Sequence, residues 1–203
     1  MSSKFKHVYQ FRIAIEGISP EIWRVIQVPE NYSFWNLHMA IQDAFGWTNS
    51  HLHSFETTNP KTGKGEIIGI PEHTYDEIPI DFVTLPGWEI PIYGYFSEER
   101  RSMLYIYDYG DSWNHRIQYE KILFKSTHQK YPVCLDGKRE GPPEDCGGIP
   151  GYENFLQIIN DPLHQEHKEM KRWAGKKKCD TETFDAGKVR FAGLQKQEKG
   201  IYS

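Results

Sequence analysis

Long apolar runs are missing from this chain. No stretch approaches the roughly 20 residues needed to span a bilayer, and the opening Met1-Ser2-Ser3-Lys4-Phe5-Lys6-His7 lacks the apolar segment of a secretion signal. Cysteine is scarce. Cys134, Cys146 and Cys179 are the 3 present among 203 residues, an odd number at wide spacing, which argues against a secreted disulfide scaffold and for a reducing compartment. A cytoplasmic location without membrane association is the expectation. Net positive charge is also lacking: the formal charge is -4. Sequence-independent affinity for nucleic acid comes mainly from lysine and arginine contacts that release phosphate counterions, so tight binding of that kind is disfavoured, while a local basic patch stays open. What is present is apolar and aromatic content, 38% and 14%, enough for the chain to bury a core as a single domain over 1–203.

The first segment reads as a strand. Phe5, His7, Tyr9, Phe11, Ile13 and Ile15 share one parity and Lys6, Gln10, Arg12 and Glu16 take the other, which predicts one buried and one wet face. After a turn from Gly17 to Pro20, the run Ile22 to Val28 is apolar on both parities, so it should be covered on both sides and pair with the first strand as a hairpin. Ser33 can cap a helix through about Phe45, with Phe34, Leu37, Ile41, Ala44 and Phe45 at helical spacing before Gly46 ends it. A third strand is predicted around Leu52 to Thr57. The glycine- and proline-rich stretch from Asn59 to Pro91 reads as short strands and loops with no legible pairing. Two β-type runs, Met103 to Tyr107 and His115 to Lys121, flank a turn from Asp108 to Asn114 and predict a hairpin. Beyond it the pattern turns helical: Tyr152 to Ile159, a charged helix from about Leu163 to Ala174, and a short helix after Asp185. The division is a strand-rich part over 1–125 and a loop and helical part over 126–203. Strands first and helices last, without alternating βαβ units, make the class α+β.

The densest chemistry sits in one loop, Glu140 to Gly151, where 3 prolines and 4 glycines bracket Glu144, Asp145 and Cys146. Proline fixes φ and glycine admits positive φ, so this composition describes a closely specified backbone, with Gly147 or Gly148 expected at φ > 0. Cys146 precedes a helix predicted to begin near Gly151, whose dipole would favour a thiolate, while Glu144 and Asp145 beside it oppose one. A nucleophilic role would need a base such as His38, His51 or His115 within reach. The plainer alternative is a packed thiol, with the two acids capping backbone amides.

A metal site is the sharpest chemical expectation. His51 and His53 are spaced i, i+2, so on a strand both imidazoles leave the same face, and imidazole suits zinc or a similar divalent ion. Further ligands would come from His38, Asp108, Asp111, His115, Cys134, Glu144, Asp145 or Cys146. The alternative is that these histidines are core or turn residues. The turn carries two readings as well. Tyr107, Tyr109, Trp113 and His115 could form an exposed aromatic surface that stacks on a base or anchors a partner, or Asp108 and Asp111 make local Asx-type bonds while Trp113 packs on the sheet. His38 lies at the edge of the apolar helix face, where a satisfied core histidine is the plainer reading. His164 and His167, one helical turn apart, and Lys176-Lys177-Lys178 sit in a segment dense with charge, the pattern of a solvated helix and its exit.

Four motifs now stand in order: Pro20-Glu21-Ile22-Trp23-Arg24; Phe45-Gly46-Trp47 followed by His51-Leu52-His53-Ser54-Phe55; Tyr107 to His115; and Pro142-Pro143-Glu144-Asp145-Cys146-Gly147-Gly148 with Gly151-Tyr152. Together, from about Tyr9 to Leu194, they resemble the plasmid pRiA4b ORF-3-like family. The resemblance implies an α+β fold with a mixed, mainly antiparallel sheet, and a context of plasmids and mobile elements, where some members carry resolvase-like labels. A serine resolvase needs a nucleophilic serine within an arginine cluster and a basic helix-turn-helix. Ser33, Ser54, Ser97 and Ser112 have no arginine-rich neighbourhood, and Arg100-Arg101 stands alone. The resulting expectation is a binding module for nucleic acid or protein. The rival is a metal-dependent hydrolase built from His51, His53 and the Glu144-Asp145-Cys146 group, and convergence of these groups at one concave site would favour it.

Overall fold

A computed structural model describes residues 5–71, 82–175 and 181–192. Eight strands form one sheet in the order β5-β4-β3-β6-β7-β1-β2-β8: β1 (His7–Ile15), β2 (Trp23–Pro29), β3 (His53–Thr58), β4 (Gly65–Gly69), β5 (Phe82–Pro86), β6 (Ser102–Tyr107), β7 (Trp113–Phe124) and β8 (Val133–Lys138). Every pairing is antiparallel except β4 with β5. Helix α1 (Phe34–Phe45) follows the first hairpin, and among the described residues α2 (Gly148–Asn160), α3 (His167–Ala174) and a 3-10 turn at Ala186–Lys188 follow β8. This is the α+β arrangement with a mixed, mainly antiparallel sheet. Among the described residues no helix is long and apolar enough to cross a membrane.

Local chemistry explains α1 closely. The Ser33 side chain accepts from the Asn36 amide, and the Asn36 side chain returns to the Ser33 amide in a reciprocal cap; Gly46 at φ 74° ends the helix. Its apolar face lies on the sheet, with Phe34 against Phe55 and Phe45 against His115 at ring separations of 5.0 and 5.2 Å. The register aligns His53 with Tyr107 and Tyr107 with Trp113 in one row, and Phe55 with Tyr105 and Tyr105 with His115 in the next. Residues paired across neighbouring strands share a face, so these two rows form the aromatic floor beneath α1.

Two expectations are corrected. The second face of β1 is not wet over most of its length: β1 lies between β2 and β7, and Val8, Gln10 and Ala14 of that parity are buried, with Arg12 partly exposed. Gln10 is satisfied there, accepting from Gln27 Nε2 at 2.7 Å and donating to Glu120 at 2.7 Å. The charged helix begins at His167 rather than Leu163, because Asp161 turns the chain, its side chain accepting from the Leu163 amide at 2.9 Å. β8 had no legible signal. Lys176 to Lys178 and Cys179 lie outside the described residues.

Candidate functional site

Three loops meet beyond the C-terminal end of α1. The first, 47–52, leads from Gly46 into β3. The second is the β6–β7 turn, where Asp108 and Ser112 hold positive φ of 57° and 53°. Asp108 Oδ1 accepts from the Gly110 amide at 3.0 Å, the Asx-type bond the composition predicts. The third is the proline-glycine loop, joined to the other two by side chains. Trp47 Nε1 donates to Pro142 O at 2.9 Å. Glu144 accepts from the Thr48 amide at 2.7 Å and from the Tyr107 hydroxyl at 3.1 and 3.2 Å. The Gly147 amide donates to Asp111 Oδ2 at 3.1 Å. Gly147 and Gly148 both have positive φ, 90° and 65°, and a Cβ on Gly148 would come within 2.5 Å of the Asp111 carbonyl. The loop is thus an ordered element, and α2 begins at Gly148, one turn earlier than its pattern indicates.

The three loops place His51 among acids. Its Nε2 is 2.9 Å from Asp145 Oδ1, 3.7 Å from Asp108 Oδ2 and 4.0 Å from Glu144 Oε2. One ligand atom each from His51, Asp108 and Asp145 lies within 4.8 Å of the others. Asp108 is buried, His51 half-buried and Asp145 exposed, so the group opens at the surface. An imidazole with two carboxylates offers nitrogen and oxygen donors that suit zinc, manganese or a related divalent ion. Beside it, Asp145 and Cys146 line an open cleft of about 510 Å³ shared with Phe155, Glu166, Met170 and Trp173.

A model of the family described as plasmid pRiA4b ORF-3-like protein matches residues 7–188. The chain belongs to that family. The chain is similar to the uncharacterized protein y4hQ of Sinorhizobium fredii, 29% identical over 190 residues that cover 93% of this chain and 89% of y4hQ. It is also similar to the crystal structure of MM3350, a protein of unknown function from Methanosarcina mazei Go1, with 40% identity, a TM-score of 0.80, and coverage of 92% of this chain and 99% of that one.

In this member of the pRiA4b ORF-3-like family the predicted site residues divide into two sets. His51, Asp108, Glu144 and Asp145 come together, and Asp111 supports them through Gly147. His53 does not join them: β3 starts at His53, so the strand alternation that would align it with His51 does not reach back to residue 51. His53 is buried and stacks on His38, with ring centroids 3.4 Å apart and planes within 4°. Burial holds its pKa well below the ordinary value. The exposed aromatic surface is likewise absent. Tyr107, Trp113 and His115 are buried, all three against Trp47, with α1 residues His38 and Phe45 beside Tyr107 and His115 and Tyr152 of α2 beside Trp113, and Tyr109 is half-buried. His115 Nδ1 donates to Trp113 O, 2.9 Å away, and burial pushes its pKa down to about 3. Cys134 sits buried on β8, where burial raises its pKa to about 11, a thiol rather than a thiolate. Cys146 is partly buried and lines the cleft without joining the His51 group. His164 and His167 are tied into the turn before α3, His167 through Ile158 O at 3.0 Å. Sequence reasoning missed Thr48, Asn49 and Gln42, polar residues that fix the 47–52 loop. The spacing of His38 and Gln42, one turn apart on α1, was the available signal.

Proposed function

We propose that this chain binds a divalent cation through His51, Asp108 and Asp145, and that the site serves hydrolysis of a ligand seated in the adjoining cleft. The observation that supports this reading is the convergence of the three side chains from three separate loops on one point at the edge of a concave surface. A divalent ion in such a setting lowers the pKa of a bound water and polarises a carbonyl or phosphoryl oxygen. The chain's own residues have distinct parts. His51 and the two aspartates hold and orient. Glu144, with both oxygens engaged by the Tyr107 hydroxyl, locks the 47–52 loop to the proline-glycine loop rather than reacting. Phe155, Met170 and Trp173 supply apolar contact for the ligand.

The reading is tested by metal analysis of purified protein and calorimetric titration with zinc and manganese. Near-stoichiometric binding that His51→Ala abolishes is expected; protein that comes metal-free and refuses both ions sinks the proposal. A second reading, a protein-binding module, is supported by Leu163 and Trp173, 93% and 50% exposed on the segment beside the cleft. A nucleic-acid partner has less support, since of Tyr109 and Trp113, the rings that would stack on bases, Trp113 is buried and Tyr109 half-buried, and the net charge is -4. A role in plasmid or mobile-element physiology rests on the family's name alone.

A further inference from the structure

His51 is carried by a loop whose inner side is tied to α1 by a closed ring of hydrogen bonds. Gln42 Nε2 donates to the Tyr105 hydroxyl at 3.1 Å. That hydroxyl lies 2.8 Å from His38 Nδ1, and His38 Nε2 lies 2.7 Å from Asn49 Oδ1. The Asn49 amide donates to Gln42 Oε1 at 2.9 Å and closes the circuit. Donor and acceptor chemistry leaves one arrangement. Asn49 Oδ1 only accepts, so His38 carries its proton on Nε2; the neutral ring then accepts at Nδ1, and Tyr105 donates there while receiving from Gln42. His38, Gln42 and Tyr105 are all buried, so each unmade bond in this ring would leave a desolvated polar atom without a partner.

Asn49 is the one member that reaches the loop surface, and it sits at φ 56°, a left-handed conformation that asparagine tolerates better than most residues. The ring therefore fixes both its backbone and its side chain two residues before His51. The next amide, Ser50 N, donates to the Tyr107 hydroxyl at 3.1 Å, the same hydroxyl that engages Glu144. His38 is not among the residues that gather around His51; its hydrogen-bonded connection to the site runs through Asn49, and its ring also lies 6.3 Å from that of Tyr107.

We propose that His38 is the positioning residue of the cation site, setting the place of His51 through Asn49, and that the strength and geometry of cation binding depend on this ring. The inference rests on the cation reading given above. Supporting groups one bond removed from a metal ligand commonly change affinity by about 10–100-fold, and a longer connection through backbone is expected at the low end of that range.

The test is titration of the full-length chain with cobalt(II), whose visible absorption reports coordination number and geometry, alongside thermal melts. Asn49→Gly keeps the left-handed backbone and removes only the anchor. Because it leaves the buried His38 Nε2 without its acceptor, it is expected to fold but melt below the parent, bind cobalt about tenfold more weakly and alter the absorption band. His38→Phe preserves the ring stack and removes both polar contacts, and should weaken binding similarly. His38→Gln, which restores a donor toward Asn49, should recover part of the affinity, a rescue that a merely space-filling role for His38 would not give. If His51→Ala abolishes binding while Asn49→Gly and His38→Phe bind as the parent does with an unchanged band, the positioning role is overturned and the cation site stands. If the parent itself takes up no cobalt, or His51→Ala binds it undiminished, the site is wrong and the inference goes with it. Should His38→Phe fail to fold, Asn49→Gly decides alone.

Discussion

His51 and His53 are the same residue type two positions apart, yet one faces three carboxylates at the surface and the other is sandwiched in the core. His51 has acids at 2.9, 3.7 and 4.0 Å. His53 has Trp35, His38 and Phe55 rings around it, and neither of its nitrogens has a hydrogen-bond partner. The boundary between them is the first residue of β3. Outside the strand the chain follows the loop that Glu144 and Asn49 fix; inside it, the sheet register turns the side chain toward α1. Position relative to that boundary, not imidazole chemistry, separates the residue that can meet a cation from the one that fills the core.

The core side of the comparison predicts the largest effect. Burial holds His38 and His115 neutral in the folded chain, each with a pKa near 3 against an ordinary 6.5. A depressed folded value means that the unfolded chain takes up the proton first. Stability is therefore fully present above pH 6.5 and is lost as pH falls toward 3, at about 1.4 kcal/mol per pH unit for each group. Between neutrality and pH 5 the two together should remove about 4 kcal/mol. Urea melts across this range check the slope. His115→Phe or His38→Gln should flatten it by one group's share, and an acid limb unchanged in both variants would contradict the burial argument.

A direct exchange between the two histidines sharpens the contrast. His53→Ala opens a cavity beneath Trp35 and beside His38 and should cost about 2–3 kcal/mol, whereas His51→Ala, at a half-exposed position, should stay within about 0.5 kcal/mol of the parent when no cation is present. Denaturant titration of both variants in a chelating buffer is the measurement. Equal losses would mean that His51 is as much a part of the packed structure as His53.

How much of this was legible follows from the range of the interactions involved. α1 could be read almost to the residue, since Ser33, Asn36 and Gly46 encode its ends locally. The two hairpins at β1–β2 and β6–β7 were legible because their turns and alternation are local as well. The wet face assigned to β1 failed for a non-local reason: alternation shows which residues are polar, but the placement of β1 between β2 and β7 buries even Gln10. The site divides in the same way. The proline-glycine loop announced itself through composition, and its positive-φ glycines are where they were expected. That Asp145 would meet His51 and Asp108 depends on contacts across 94 and 37 positions, from 145 − 51 and 145 − 108, which no spacing rule reaches. The burial of Trp113 and Tyr107 beneath Trp47 is the same kind of fact.

The smallest effects belong to the loop that carries Asp145, and they test whether the rim is built or merely exposed. Gly148 combines φ 65° with an approach in which any Cβ would lie 2.5 Å from the Asp111 carbonyl, so Gly148→Val meets both backbone strain and a rigid obstacle. A loss of about 2 kcal/mol is expected. Gly147 has φ 90°, but its nearest obstacle, the Gly151 Cα, stands at an ordinary 3.5 Å; Gly147→Val should lose about 1 kcal/mol from conformation alone. Cys146→Ser, just before the two glycines, changes one partly buried atom, leaves the backbone untouched and should melt within about 0.5 kcal/mol of the parent. Because Cys146 does not join the group around His51, this variant should also bind cations as the parent does. The order Gly148, Gly147, Cys146 in thermal melts follows from distances rather than from composition. If Gly147→Val proves the more damaging of the two glycine variants, the close approach of Gly148 to Asp111 does not govern the loop, and the anchoring of Asp145 opposite His51 must come from the Glu144 contacts instead.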